Sequence, residues 1–366
     1  MPSILANYPY RPHEKSVRIG FVLYGDVAQT SGGYRYNRKL RDFLVRKGDT
    51  VDVISLPAPD TIGGHGDIDD EAYVTQLDRQ FDILLVDGWT AKSLWQAIER
   101  LDTPESIIGL VHLLRSGPGA HCEEDAHSEQ TFLESVDGAI CTSRDTEQRV
   151  LDRATLPTIV APPSGRIEDA ALSEQAIRTR ATRSGPLHVL FVGNVLPRKG
   201  VTDLVKAVSM TDPQITLTVI GDVESDPAYA AKAQSLGSQS GMADRMQFCG
   251  RVTERELTEQ LRSCHVLALP SLYEGFGMVI LESMEYGVVP IGSTVGGADE
   301  IVTHGETGYL VDPEDPEQLC HRLRTLQHDR EQLAEIGIRA ADRVARHPSW
   351  EETFDGIRPF LQERIG

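Results

Sequence analysis

The sequence predicts an α/β protein of two Rossmann-like domains that face each other across a cleft. Three observations predict it. The chain has 366 residues, more than one hydrophobic core normally organises, so two domains are expected. Short apolar runs alternate, in two successive series, with stretches of helical periodicity, the pattern of parallel strands joined by helices. Between the two series the composition changes at Pro162, Pro163, Ser164 and Gly165.

The first series opens with the apolar run 17–24, read as a buried strand, then the turn formers Gly25 and Asp26 and a loop ending at Ser31, Gly32 and Gly33. A helix over 34–47 follows, with Leu40, Phe43 and Leu44 inward and Gly48 as its stop. Residues 50–56 supply the next strand, and 81–86, 107–112, 138–142 and 158–161 supply further parallel ones, apolar without strict alternation. The segment 170–183 is helical or loosely attached surface. The second series places strands at 187–192, 216–220, 246–248, 266–269 and 288–291, and helices at 201–208, 254–262 and 278–286. The expected division is a first domain over 1–165, a linker over 166–186, a second domain over 187–347 and a tail over 348–366. In the tail, Trp350, Phe354, Ile357, Phe360 and Leu361 recur at near-helical spacing, which suits a helix crossing back to the first domain or a plain terminal helix. Ligands of such sheets bind beyond the carboxyl ends of the strands, where the connecting loops converge.

Composition narrows the function. No apolar run approaches the roughly 20 residues needed to cross a bilayer. The stretch 1–18 lacks a charged start followed by an apolar core, so a cytoplasmic location is expected. Lys and Arg number 36 against 55 Asp and Glu, a net charge of −19 that disfavours nucleic acid as a partner. Positive charge comes mostly from arginine, a bias that a salt-rich habitat or genomic composition explains equally well. Against this acidic background the helix 34–47 gathers Arg35, Arg38, Lys39, Arg41, Arg46 and Lys47 beside an apolar face. Such a surface can make peripheral contact with an anionic lipid head or an acceptor phosphate, or it is a solvated helix packed on its sheet. The five cysteines, Cys122, Cys141, Cys249, Cys264 and Cys320, are odd in number and not closely paired, as befits ordinary small apolar residues. His121, Glu123, Glu124, Asp125 and His127 are capable of binding metal by composition, but their spacing matches no recognised site, and solvated loop chemistry is expected there.

Two blocks in the second series carry chemistry. In FVGNVLPRKG over 191–200, a strand ends at a glycine, a short loop presents Arg198 and Lys199, and a helix begins. Helix-start amides and two adjacent cations suit a diphosphate; a solvated Arg-Lys turn is the plainer alternative. In PSLYEGFGMVILESMEYG over 270–287, Gly275 and Gly277 let the backbone turn tightly toward an anionic group, and the following helix aims its positive end at the same place. Glu274 precedes that helix, within reach of sugar hydroxyls. Glu282 lies in its second turn among Val279, Ile280, Leu281 and Met284, positioned to accept hydrogen bonds from a nucleotide ribose. Glu285 is expected to be a surface charge.

At these residues the second domain resembles that of the retaining GT-B glycosyltransferases of family 4. The signatures are 191–200, the Glu274 and Glu282 pair, PIGSTVGGADEIV over 290–302 and GETGYLV over 305–311, and the likeness extends over about 20–315. The resemblance implies that Lys199 and Arg198 neutralise the donor diphosphate and that Glu282 holds the ribose. It further implies that Glu274, with the amides around Phe276 and Gly277, orients sugar and phosphate. Many relatives carry Arg where this chain has Asn194, which removes one cation. In the first domain Ser31, Gly32 and Gly33 resemble the family's glycine loop near the donor phosphates, with a helix-entry turn as the alternative. His112 matches the family's sugar-facing histidine, where it would hydrogen-bond the sugar or stabilise developing charge; a purely structural histidine is the competing possibility. Ser143 and Arg144 follow another strand and can line the cleft.

The resemblance implies retaining transfer of a hexosyl unit from a UDP- or GDP-sugar, used as donor substrate, to a hydroxyl acceptor, with no cofactor and no metal. Cations and helix amides would stabilise the departing diphosphate. A sugar-nucleotide epimerase, a glycan phosphorylase and a non-catalytic nucleotide-sugar-binding regulator are the alternatives. The Glu274 and Glu282 segment argues against the first, and the lack of a recognisable lysine-anchored pyridoxal phosphate site against the second.

Overall fold

A computed structural model describes residues 16–29, 31–57, 70–116, 123–165 and 172–366. Six strands form the first sheet: β1 (Arg18–Tyr24), β2 (Thr50–Leu56), β3 (Ile83–Asp87), β4 (Ser106–Val111), β5 (Gly138–Cys141) and β6 (Thr158–Val160). Their order is β2-β1-β3-β4-β5-β6, every pairing parallel. The second sheet contains β7 (Leu187–Val192), β8 (Ile215–Ile220), β9 (Met246–Gly250), β10 (Val266–Ala268), β11 (Val289–Ser293) and β12 (Tyr309–Val311), all parallel in the order β12-β11-β10-β7-β8-β9. Two doubly wound sheets of this kind are the expected GT-B architecture.

Strand order decides where a ligand can sit. In the first sheet the chain reverses direction between β1 and β3, and in the second between β7 and β10. At such a switch point the connecting loops leave in opposite directions and open a crevice beyond the strand ends. The loop after β7 is the one carrying Arg198 and Lys199, and the loop after β10 carries Glu274 to Gly277. Both sequence blocks therefore flank one crevice.

The expected helix at 34–47 runs as Gly32–Arg46 and buries Tyr36, Asn37, Leu40, Phe43 and Leu44. Ser31 is its N-cap, accepting the Tyr34 amide at 3.5 Å. Gly32 and Gly33 thus form the first helical turn rather than a loop before it. The tail folds as helices Trp350–Phe354 and Ile357–Gln362. Phe354, Ile357, Phe360 and Leu361 join one core with Phe21, Tyr36, Leu40 and Phe43, so the tail packs on the first domain after the second is complete. Arg358 secures it by pairing with the buried Asp49 at 2.9 Å. The segment expected as helix or loose surface holds the helix Glu174–Thr182; residues 166–171 lie outside those described.

Candidate active site

Lys199 is the centre of the second-domain half. It ends a short 3-10 turn, Pro197–Lys199, whose C-cap Gly200 lies at φ +67°. A side chain at Gly200 would also meet the Pro270 carbonyl oxygen at 2.1 Å, so only glycine lets these two loops touch. The Arg198 carbonyl accepts the Leu272 amide at 2.8 Å, tying the loops together. In consequence Lys199 Nζ lies 2.5 Å from Glu274 Oε2, with Arg198 Nη1 at 3.7 Å from the same oxygen and Ser271 Oγ donating to it at 3.2 Å. Burial pushes the Lys199 amine down from its ordinary value, partly opposed by Glu274. Burial pushes Glu274 up, but Lys199 and Arg198 outweigh it and hold the carboxyl below the usual range. Two cations and one carboxylate leave a net positive charge at the mouth of the crevice.

The helix Met278–Glu285 begins beside this cluster with Gly277 as N-cap, so no side chain takes up its first amides. Those amides and the helix dipole make the position attractive to an anion. The Phe276 side chain is buried in the core of the second domain. Asn194 is exposed after β7. Glu282 is 5% exposed, so it is not a surface carboxylate. Glu285, expected at the surface, is also buried: it lies against Gly165, where a side chain would come within 1.7 Å of its Oε1. Three residues beyond Glu282, it falls on the inward face of a helix buried nearly all round.

The first-domain half is built on His112, just past β4. Its Nε2 lies 2.8 Å from Asn37 Oδ1; Asn37 Nδ2 donates to Asp87 Oδ2 at 2.7 Å, and the Trp89 amide donates to Asp87 Oδ1 at 2.9 Å. Since Asn37 uses its amide nitrogen on Asp87, its oxygen must accept from His112, so the network assigns the proton to Nε2 and leaves Nδ1 as the acceptor. Burial lowers the His112 pKa, with Asp87 opposing. The ring is therefore a neutral hydrogen-bonding group at neutral pH rather than a standing positive charge. Asn37 and Asp87 were missed in the sequence; the only signals were an acid closing an apolar run and an asparagine on the inward face of the first helix.

The two halves meet closely. A side chain at Gly275 would lie 2.0 Å from the His112 carbonyl oxygen, one at Gly33 would lie 3.5 Å from His112 Cδ2, and one at Gly32 would lie 3.2 Å from Met278 Sδ. His112, Gly32, Gly33, Gly275 and Met278 thus border one crevice. Ser143, predicted at the cleft, is buried as the N-cap of helix Arg144–Leu151. The Arg144 and Asp145 amides there donate to Glu300 of the second domain at 2.7 and 3.2 Å. Arg149 stacks on Tyr273, 4.4 Å from the ring centre. Arg35 pairs with Glu282 across the cleft.

Other basic residues of the first helix have partners of their own. Arg38 donates to the Val27 carbonyl at 2.7 Å, and Arg46 and Lys47 pair with Glu351 of the tail at 2.9 and 3.0 Å. No group of three or more His, Cys, Asp or Glu among the described residues is arranged to hold a metal ion. Of the mixed cluster at 121–127, Asp125 pairs with Lys92 at 3.0 Å and His127 meets Trp95 edge-on at 5.5 Å. His121, Cys122 and the side chains of Glu123 and Glu124 lie outside the described residues. Cys141, Cys249, Cys264 and Cys320 are free thiols. No described helix is long and apolar enough to cross a membrane.

Residues 173–343 match the family model described as glycosyl transferases group 1. The chain is similar to a D-inositol 3-phosphate glycosyltransferase of Corynebacterium efficiens, with 29% identity over 290 residues that cover 75% of this chain and 68% of that protein. Among solved structures, sucrose-phosphate synthase from Thermosynechococcus elongatus superposes with a TM-score of 0.76 at 23% identity, covering 95% of this chain and 98% of its own. Anabaena HepE in complex with UDP and glucose gives 0.75 at 18% identity, over 95% and 100%. The family model spans the second domain, which therefore belongs to the glycosyl transferases group 1, and the GT-B fold of two facing domains is matched along nearly the whole length of the chain, as in a glycosyltransferase.

Proposed function

We propose that the chain transfers a hexosyl unit from a UDP- or GDP-sugar to a hydroxyl acceptor with retention of anomeric configuration. The observation that carries this reading is the cluster of Lys199, Arg198 and Glu274 beside an uncapped helix start, facing His112 and the first turn of helix Gly32–Arg46. Lys199 and Arg198 neutralise the donor diphosphate, with the amides at Gly277 and at Gly32 and Gly33 on either side of it. Glu282 accepts from the ribose hydroxyls. Glu274 fixes the two cations and reaches the sugar; its Oε2 is already engaged by Lys199 and Ser271, which suits orientation better than nucleophilic attack. His112 accepts a sugar hydroxyl at Nδ1.

In the reaction the bond from the anomeric carbon to the β-phosphate oxygen breaks, and the acceptor oxygen bonds to that carbon on the same face. The acceptor proton passes to the departing phosphate. Negative charge grows on the diphosphate as it leaves, so cations and amides already in place stabilise the transition state more than the bound donor. Domain closure keeps water from intercepting the sugar.

The test is a screen of UDP- and GDP-hexoses against inositol phosphates, small polyols, glycans and lipid-linked acceptors, read by mass spectrometry, with the product anomer assigned by NMR. The similarity to a D-inositol 3-phosphate glycosyltransferase puts phosphorylated polyols first among the acceptors. A product of inverted configuration, isomerised donor without acceptor, or binding without turnover across the panel would each overturn the reading.

A further inference from the structure

Arg35 is the one basic residue of the first helix whose guanidinium reaches into the donor site, and it does so from the opposite domain. Its Nη1 pairs with Glu282 Oε1, where the side chains are 15% and 7% exposed. Its Nη2 lies 4.0 Å from Oε1 of Glu254, a side chain 82% exposed at the start of helix Glu254–Ser263. Beside the pair, between this helix and Gly32–Arg46, lies a cavity of about 620 Å³ bordered by Arg35, Arg38, Lys39, Glu254 and Arg262. One guanidinium thus has two carboxylates within reach and room to move between them.

A carboxylate as buried as Glu282 requires a partner to offset its desolvation. The Arg35 guanidinium supplies one. A ribose diol supplies it differently, through two neutral hydroxyls that must displace a charged donor from the same group. We propose that Arg35 is a cross-domain latch on the donor site, holding Glu282 while the site is empty and releasing it to the ribose by swinging through the cavity toward Glu254. This rests on the assignment of Glu282 to the ribose. Arg35 acts through Glu282 and is a positioning residue. Because it belongs to the first domain, the exchange also ties arrival of the donor to a change in the contact between domains.

A latch lowers affinity by the fraction of molecules it occupies: a site latched nine times in ten binds about tenfold more weakly than its open form. The experiment is calorimetric titration of the full chain with UDP and with GDP, followed with whichever binds more tightly. Arg35→Gln keeps neutral donors beside Glu282 and should tighten binding by about five- to tenfold. Glu254→Gln, at an exposed position, removes the destination and should weaken binding by a few-fold. In the double variant the second change should have no further effect. A purely structural Arg35 would not yield opposite shifts of which the second vanishes once the first residue is changed. Weaker binding in Arg35→Gln would mean that the guanidinium holds nucleotide directly, and a Glu254→Gln variant matching the parent would remove the swing; either overturns the proposal. Glu282→Gln separates the premise: if it leaves nucleotide affinity unchanged, the ribose assignment itself has failed.

Discussion

Replacing Lys199 by alanine tests catalysis and folding together, and the two effects can be separated. Lys199 is 12% exposed and its partner Glu274 16%, at 2.5 Å. Stranding a buried carboxylate costs about 3–5 kcal/mol when nothing replaces the lost partner. Here Arg198 at 3.7 Å and Ser271 at 3.2 Å remain, so the lower side, about 2–3 kcal/mol, is expected. For a domain of this size that lowers the melting temperature by roughly 5–10 °C. The sign of its pH dependence follows from Glu274. In the parent its folded pKa is depressed, so its contribution to stability is present above the unfolded value and lost as pH falls through the folded one. In Lys199→Ala burial raises that pKa instead, the ionised form is penalised, and the deficit against the parent shrinks toward acid. Adding Glu274→Gln removes the stranded charge and should recover most of the melting temperature. Transfer should not recover: losing one preorganised group opposite a developing oxyanion costs about 10²–10³ in rate. Thermal unfolding and donor turnover on the single and double variants decide it. A double variant that is both stable and close to the parent in kcat/KM would refute the role given to Lys199.

Three further outcomes follow from the geometry. The lowered pKa of His112 means that between its folded value and the ordinary 6.5 the unfolded chain binds a proton that the folded chain does not; stability should therefore rise with pH through that window and be lost below it, and His112→Gln should flatten this limb in pH-dependent melting. Gly275→Ala would drive a methyl group to 2.0 Å from the His112 carbonyl oxygen, so the domains cannot meet as they do; transfer should fall by about 10²-fold while UDP or GDP still binds in titration, and unimpaired transfer would contradict the close approach. Arg358→Ala leaves Asp49, whose side chain is fully buried, with the Val17 amide at 3.0 Å but without its cation, and should destabilise the first domain by about 2–3 kcal/mol in chemical denaturation, with Asp49→Asn and Arg358→Met together recovering most of it.

The central strands were legible because parallel strands covered on both faces read as unbroken apolar runs, as in β3 and β4; residues 187–192 and 50–56 also coincide with β7 and β2 to the residue, although β2 is an edge strand with Thr50, Asp52 and Ser55 exposed. The two motif blocks were legible for a related reason: each occupies a loop leaving a strand at a switch point, so local sequence alone specifies glycine, cation and helix start. What escaped the sequence depends on partners distant along the chain. Arg35 and Glu282 stand 247 positions apart, and Asn37 and His112 75 apart. Nothing local to Asn37 indicates that a histidine from another strand will donate to it. Glu285 was misjudged because polarity suggested solvent, whereas its helix is enclosed on nearly every side. The tail's apolar spacing showed a buried face; only the packed fold shows that the face belongs to the first domain.

The most direct measurement is a crystal structure of the chain with the nucleoside diphosphate that it binds. Phosphate oxygens about 3 Å from Lys199 Nζ and from the amides that open helix Met278–Glu285 are the expected result. A diphosphate lying away from both, with Lys199 still paired only to Glu274, would contradict a site built to receive that leaving group.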